Sequence, residues 1–165
     1  MSSFLNNIIQ EDEWFMKICL EKTEIADKNG EVPVAALVVD EKKQIIASAI
    51  NEKEKNNDPC AHAEMIILKK AGAYKESWRL NACTLYVSLE PCLMCLSAMI
   101  HARIERLVFG TYDFKAGAIS LGYNLQLDSR LNHHFEITGG VLHFENSSNL
   151  SNFFKRKRKT SRLKI

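Results

Sequence analysis

Thr84 to Gly110 reads TLYVSLEPCLMCLSAMIHARIERLVFG, and this stretch decides the fold. Thr84 to Leu89 is rich in β-branched and aromatic residues and stops at Glu90-Pro91, which predicts a strand. Cys92 and Cys95 then open a helix, and Arg106 to Gly110 forms a second short strand. A strand, a crossover helix and a strand imply parallel pairing, with ligand-binding groups gathered at the strand C-terminal ends. Cysteines three residues apart at a helix start can aim both sulfurs at one point. The positive end of the helix dipole there favours their thiolate forms.

Upstream, Asn51 to Pro59 is polar and ends in the turn signal Asp58-Pro59, directly ahead of a helix that runs to about Gly72. His62 and Glu64 lie at its beginning. Met65, Ile66, Ile67 and Leu68 make it apolar nearly all round, as expected of a helix buried between other elements. Val34 to Val39 and Gln44 to Ile50 read as a β-hairpin around Asp40-Glu41-Lys42-Lys43. Trp14, Phe15, Ile18, Cys19, Ile25 and Ala26 recur at helical spacing between the acidic positions 11–13 and Gly30, whereas residues 1–10 read as a loose arm. Downstream, Phe135 to Val141 contains another strand, Asn146 to Asn149 suggests a turn, and Leu150, Phe153 and Phe154 mark a C-terminal helix. The class is α/β, a layered sheet whose later strands run parallel.

At 165 residues and 46% hydrophobic, the chain suits one domain with one core, spanning 1–165. Its formal charge is +2, yet residues 155–165 carry seven cations and no acid, which leaves 15 basic against 20 acidic residues in 1–154. The positive charge is a basic C-terminal tail, led by Lys155, Arg156, Lys157 and Arg158, of the kind that attracts nucleic acid or simply stays solvated. Five cysteines, an odd number without a signal peptide, argue against a disulfide framework and for a reducing cytoplasm. Charged residues interrupt every apolar run before the ~20 positions a membrane span needs.

His62, Cys92 and Cys95 form a ligand set that suits Zn²⁺, and three protein ligands leave a tetrahedral position for water or substrate. Glu64, two residues after His62, can reach that water without being a ligand. Zinc lowers the pKa of bound water from about 15.7 toward roughly 7, which supplies a nucleophile at neutral pH. Two other readings share the pattern. Cys92-x-x-Cys95 after a strand also describes a redox pair, although that chemistry needs neither His62 nor Glu64. A closed structural zinc site would add Cys60, Cys83 or His101 as a fourth ligand.

His62-x-Glu64 with Pro91-Cys92-x-x-Cys95 is the signature of zinc nucleobase deaminases. The likeness extends to Asn51, Asp58-Pro59, Thr84 to Val87, Leu89-Glu90, Met94, Ala98-Met99-Ile100-His101 and Phe109-Gly110. Over most of residues 11–158 the chain resembles the bacterial tRNA-specific adenosine deaminases, which make inosine at the wobble position of an arginine tRNA. Glu31 to Val34, Asp113, Lys115 and the Phe153-Phe154 segment with its basic flank carry the likeness beyond the zinc clusters. Ala35 and Ala116 depart from the family, which commonly has Gly and Thr there.

The resemblance implies a three-layer α/β/α cytidine-deaminase-like fold with a central five-stranded mixed sheet, and a homodimer in the cytoplasm. It implies one zinc per subunit on His62, Cys92 and Cys95, with Glu64 as proton shuttle. Asn51, Asp113, Lys115, Phe153 and Phe154 match positions that meet the substrate, a tRNA anticodon stem-loop, where aromatic stacking and phosphate attraction suit splayed bases. The alternatives are a free nucleobase or nucleoside deaminase of guanine or cytosine type, and a non-catalytic zinc-stabilised RNA-binding module.

Overall fold

The computed structural model describes residues 2–162, with side chains described for 6–160. Five helices, α1 (Ser2–Lys28), α2 (Lys53–Asn56), α3 (Ala63–Tyr74), α4 (Leu93–Ala102) and α5 (His143–Arg162), alternate with five strands. The strands are β1 (Ala35–Val39), β2 (Ile45–Ile50), β3 (Thr84–Leu89), β4 (Arg106–Thr111) and β5 (Glu136–Gly139). They form one mixed sheet in the order β2-β1-β3-β4-β5. β1 runs antiparallel to both neighbours, with Ala36 opposite Ala49 and Val87. β3, β4 and β5 run parallel, with Thr84 opposite Arg106 and Arg106 opposite Glu136.

The period-2 alternation of side chains across a strand sorts the core into two layers. Leu37, Val39, Tyr86 and Val108 turn to one face, where Phe15, Met16 and Cys19 of α1 cover them. Ala36, Val38, Leu85, Val87, Leu107 and Phe109 turn to the other, against Ile67 and Ala71 of α3 and Leu96 and Met99 of α4. All five residues of β1 are buried, as a strand covered on both faces requires. This is the three-layer α/β/α arrangement that the family resemblance implies, and its later strands run parallel as the strand and helix alternation predicts.

Three local expectations need correction. Residues 1–10 were expected as a loose arm, but α1 is already helical at Ser2. A helix nucleated by the Trp14 to Ala26 stripe propagates at little cost through Asn6 and Asn7, although asparagine is a weak helix former. Asn146 to Asn149, expected as a turn, lies inside α5: Asn149 donates to Thr23 of α1, a tertiary contact, and Asn146 Nδ2 donates locally to the Leu142 carbonyl four residues earlier at 2.9 Å. The segment expected as a tail after Phe154 continues the same helix to Arg162. There Arg156 pairs with Asp27, and Lys157 donates to the Gly30 carbonyl at 3.0 Å. Lys164 lies outside the described residues.

One buried polar cluster ties α1 to the sheet. Asp12, 3% exposed, accepts from Tyr86 Oη at 2.9 Å and from both terminal nitrogens of Arg106 at 2.8 and 2.6 Å, and Arg106 also donates to Thr138 of β5 at 2.7 Å. Removing one member leaves the other charge without compensation, which costs far more than an exposed pair is worth. Asp12→Ala is expected to lower the unfolding free energy by about 3 kcal/mol or more, read by urea denaturation with an unchanged m-value.

Candidate active site

Two helix starts bring the ligands together. His62 is the residue before α3 and Cys92 the residue before α4, and both have extended backbones, at φ −71, ψ 149 and φ −72, ψ 171. Each already accepts the first helical hydrogen bond through its carbonyl, from Ile66 at 3.0 Å and from Leu96 at 2.9 Å. Cys95, one helical turn on, is fully buried. The sulfurs lie 3.6 Å apart, and His62 Nδ1 is 3.7 Å from Cys92 Sγ and 3.5 Å from Cys95 Sγ. Metal bonds of about 2.3 Å to sulfur and 2.0–2.1 Å to nitrogen in a tetrahedron require edges of about 3.8 and 3.6 Å. The triangle therefore fits one zinc ion.

Among the described residues, the candidate metal group is His62, Cys92 and Cys95, without a fourth side chain. Cys83 is buried in the core, Cys60 is exposed, and His101 lines a separate apolar hollow beside Trp78. The closed-site alternative finds no ligand in this group. The two sulfurs are also free thiols rather than a disulfide.

The four side chains shift one another's protonation, and only Cys92 is moved toward the form that binds a metal. Cys92 is pulled down to about 4, first by its hydrogen bond with Cys95 and then by His62. Cys95 is pushed up by the same contact and by burial. The hydrogen bond to Cys92 raises the His62 imidazole above its ordinary value, against the effect of burial. Glu64, second residue of α3 and 4% exposed, is pushed up by burial. A carboxyl so placed holds a proton more readily than one in water.

His62, Cys92 and Glu64 line a cavity of about 180 Å³ with Asn51, Asp113 and Ala116. Glu31, 1% exposed, accepts from Asn51 Nδ2 at 2.9 Å and from the Lys55 amide at 2.8 Å. It thereby fixes which way the Asn51 amide faces. Glu90, 2% exposed, accepts from the Asp113 amide at 2.9 Å, the Ser120 amide at 2.7 Å and Ser120 Oγ at 2.5 Å. Gly117 lies flat on that carboxyl, and a Cβ there would come within 2.3 Å of Glu90 Cδ. The backbone bridge between Cys92 and Gly117 and the Ala118 amide bonded to the Pro91 carbonyl at 2.9 Å complete the attachment. The 113–120 loop is thus fastened to the residues that precede the metal ligand. Sequence reading assigned no role to Glu31 or Glu90, since their partners lie 20 to 30 positions away and form no local pattern.

The remaining predicted residues divide. Asp113 lines the cavity and closes its own turn, its Oδ1 accepting from the amides of Lys115 at 2.9 Å and Ala116 at 3.2 Å. Lys115 is exposed beside it. Phe153, expected to meet substrate, is only 4% exposed, with Lys157 Nζ 5.3 Å from its ring centroid, so it is a packing residue. Phe154 is 44% exposed and, with Lys155 and Arg158, lines a second hollow of about 410 Å³ that shares Asp113 with the cavity. Arg156 and Lys157 are instead engaged on Asp27 and Gly30.

Residues 9–111 match the cytidine and deoxycytidylate deaminase zinc-binding region. A tRNA-specific adenosine deaminase of Haemophilus influenzae is 43% identical over 152 residues, covering 92% of this chain and 88% of that protein. A structure from work on A-to-I editing by tRNA A34 deaminases superposes with a TM-score of 0.77 at 33% identity, covering 82% of this chain and 97% of the other. The guanine deaminase of Nitrosomonas europaea superposes with a TM-score of 0.73 at 25% identity, covering 86% and 83%.

Zinc must displace the proton that the contact with Cys92 and burial keep on Cys95 and, below the raised His62 value, the imidazole proton too, so binding weakens as pH falls and more steeply below that value. Chelator competition is expected to show zinc affinity dropping about tenfold per pH unit above the His62 value and about a hundredfold per unit below it. His62→Ala should abolish that stoichiometric binding.

Proposed function

Since the chain belongs to the cytidine and deoxycytidylate deaminase zinc-binding family, we propose that it converts adenosine to inosine at the wobble position of a tRNA anticodon loop, with an arginine tRNA as substrate. The observation that carries this reading is the adjacency of two spaces. The cavity lined by His62, Glu64 and Cys92 shares Val32, Leu89 and Asp113 with the neighbouring hollow lined by Phe154, Lys155 and Arg158. A free base would fill the first and leave the second without a role.

When bound, zinc acidifies a water and stabilises the negative charge that develops as it reacts. Glu64 accepts the water proton and delivers it to N1 of the adenine ring as oxygen adds to C6. It then takes the proton of the C6 hydroxyl and passes it to the amino group, which leaves as ammonia while the C6 carbonyl forms. Water and adenosine become inosine and ammonia, with Glu64 returned to its starting state. Asn51, its Nδ2 committed to Glu31, offers its Oδ1 as an acceptor toward the nucleoside. Asp113 and Lys115 border the strand that carries it.

Subunit pairing has support in the apolar hollow over α3 and α4, where Met65, Leu68, Ala98 and the 57% exposed Trp78 lie together. A second copy covering it would make a homodimer whose interface backs directly onto the metal-bearing helices. No described helix is long and apolar enough to cross a membrane, and free thiols suit a reducing cytoplasm.

Purified protein incubated with an anticodon stem-loop carrying adenosine at the wobble position is expected to yield inosine by nucleoside mass analysis. Deamination confined to free guanine, cytosine or nucleosides would overturn the tRNA assignment. Glu64→Gln is expected to lower turnover by about 10²–10⁴-fold while zinc content and RNA affinity hold; unchanged turnover would remove Glu64 from the mechanism. Because Lys155 and Arg158 face the hollow, replacing both with Ala should reduce the slope of log affinity against log salt by about 1.4. The pair Arg156 and Lys157, held on Asp27 and the Gly30 carbonyl, should change it less.

A further inference from the structure

Phe114 is 79% exposed and Tyr112 40% exposed, on the loop that also supplies Asp113 and Ala116 to the cavity. Large rings left in water near a site mark a contact surface more often than an accident of packing. Their planes lie within 15° of parallel, with centroids 6.4 Å apart. Asp113, between them in sequence, lines the cavity, and Tyr112 also lines the basic hollow with Lys155 and Arg158. We propose that Tyr112 and Phe114 form a stacking platform for an unpaired RNA base adjacent to the target nucleotide, a reading that rests on the tRNA function proposed above.

The platform is set in place before any RNA arrives. Tyr112 stands edge-on to the buried Phe109, at 5.0 Å and 88°, and its other side meets the His143 ring at 6.0 Å. The Asp113 amide is held by Glu90 and the Asp113 carboxyl closes the turn that carries Phe114. The row of rings continues from His143 to Phe144, which is 82% exposed. Near-parallel planes let a base on one ring stay parallel to the other, the arrangement a single strand keeps for itself. The nearby cations face where its phosphates would run, so the charge favours a polyanion with flat apolar faces over a neutral protein surface.

The test uses wobble-adenosine stem-loops with 2-aminopurine placed one nucleotide before or after the target. With the zinc-loaded full chain, fluorescence at one of these positions is expected to quench on binding. Tyr112→Ala and Phe114→Ala should each lose quenching and weaken RNA binding on the order of tenfold, with KM rising more than kcat falls and zinc content unchanged. Phe114→Trp should retain the signal and Phe114→Leu should lose it, which separates stacking from mere apolar cover. Affinity and fluorescence equal to wild type in the alanine variants, while the stem-loop is still deaminated, would overturn the platform. A change in sedimentation with RNA affinity intact would also overturn it, by assigning the rings to a second copy. Quenching without any inosine would instead keep the platform and remove the proposed chemistry.

Discussion

The structure depends on a triangle of three atoms, two sulfurs and one imidazole nitrogen, whose edges are 3.5 to 3.7 Å. Two different helices must begin at the same place for that triangle to exist. α3 and α4 both start at the C-terminal side of the sheet, and both use an extended ligand residue as the last position before the helix. The sheet sets their spacing, since β3 leads directly into Cys92 and β2 leads through the short helix α2 into His62. The Asp12, Tyr86 and Arg106 cluster fixes the far layer, so α1 is locked to strands whose other face carries the metal helices. A shift of one register unit in β3 would move the thiols away from the imidazole.

Much of this was readable from residue pattern because the informative segments were buried and regular. Thr84 to Leu89 was expected as a strand and is one, and the hairpin strands match to within a residue at their starts. The ligand set is legible because metal chemistry restricts residue type and spacing more than packing does. What escaped was long-range. The inward face of α5 presents Asn146, Asn149 and Phe153, so its apolar periodicity is interrupted where it docks, and neither the helix start nor the burial of Phe153 could be inferred. Glu90 and Glu31 look like ordinary acids until the fold supplies partners. Helical extent at both ends was also underestimated, because weak formers inside a long helix are overruled by neighbours and docking contacts.

The charge pattern gains a sharper meaning from the structure. A sequence count treats Lys155 to Arg158 as one basic run. Helical geometry divides it, sending Arg156 and Lys157 to α1 and leaving Lys155 and Arg158 toward the hollow beside Asp113. One pair anchors the helix and the other remains available to a polyanion. The docked helix also explains why a weakly helical, highly cationic segment stays ordered: its first turns lie on Thr23 and its later ones on Asp27 and Gly30.

Glu90 and Gly117 carry a lesson about how such a site can vary. The carboxyl that receives three donors from the 113–120 loop sits two positions before Cys92, and the glycine above it has no room for a side chain. The wall of the cavity and the cysteine of the metal site thus share one rivet. New substrate preferences are freer to arise at the outer residues of that loop than at its footing, where a change in selectivity would disturb the metal ligand with it.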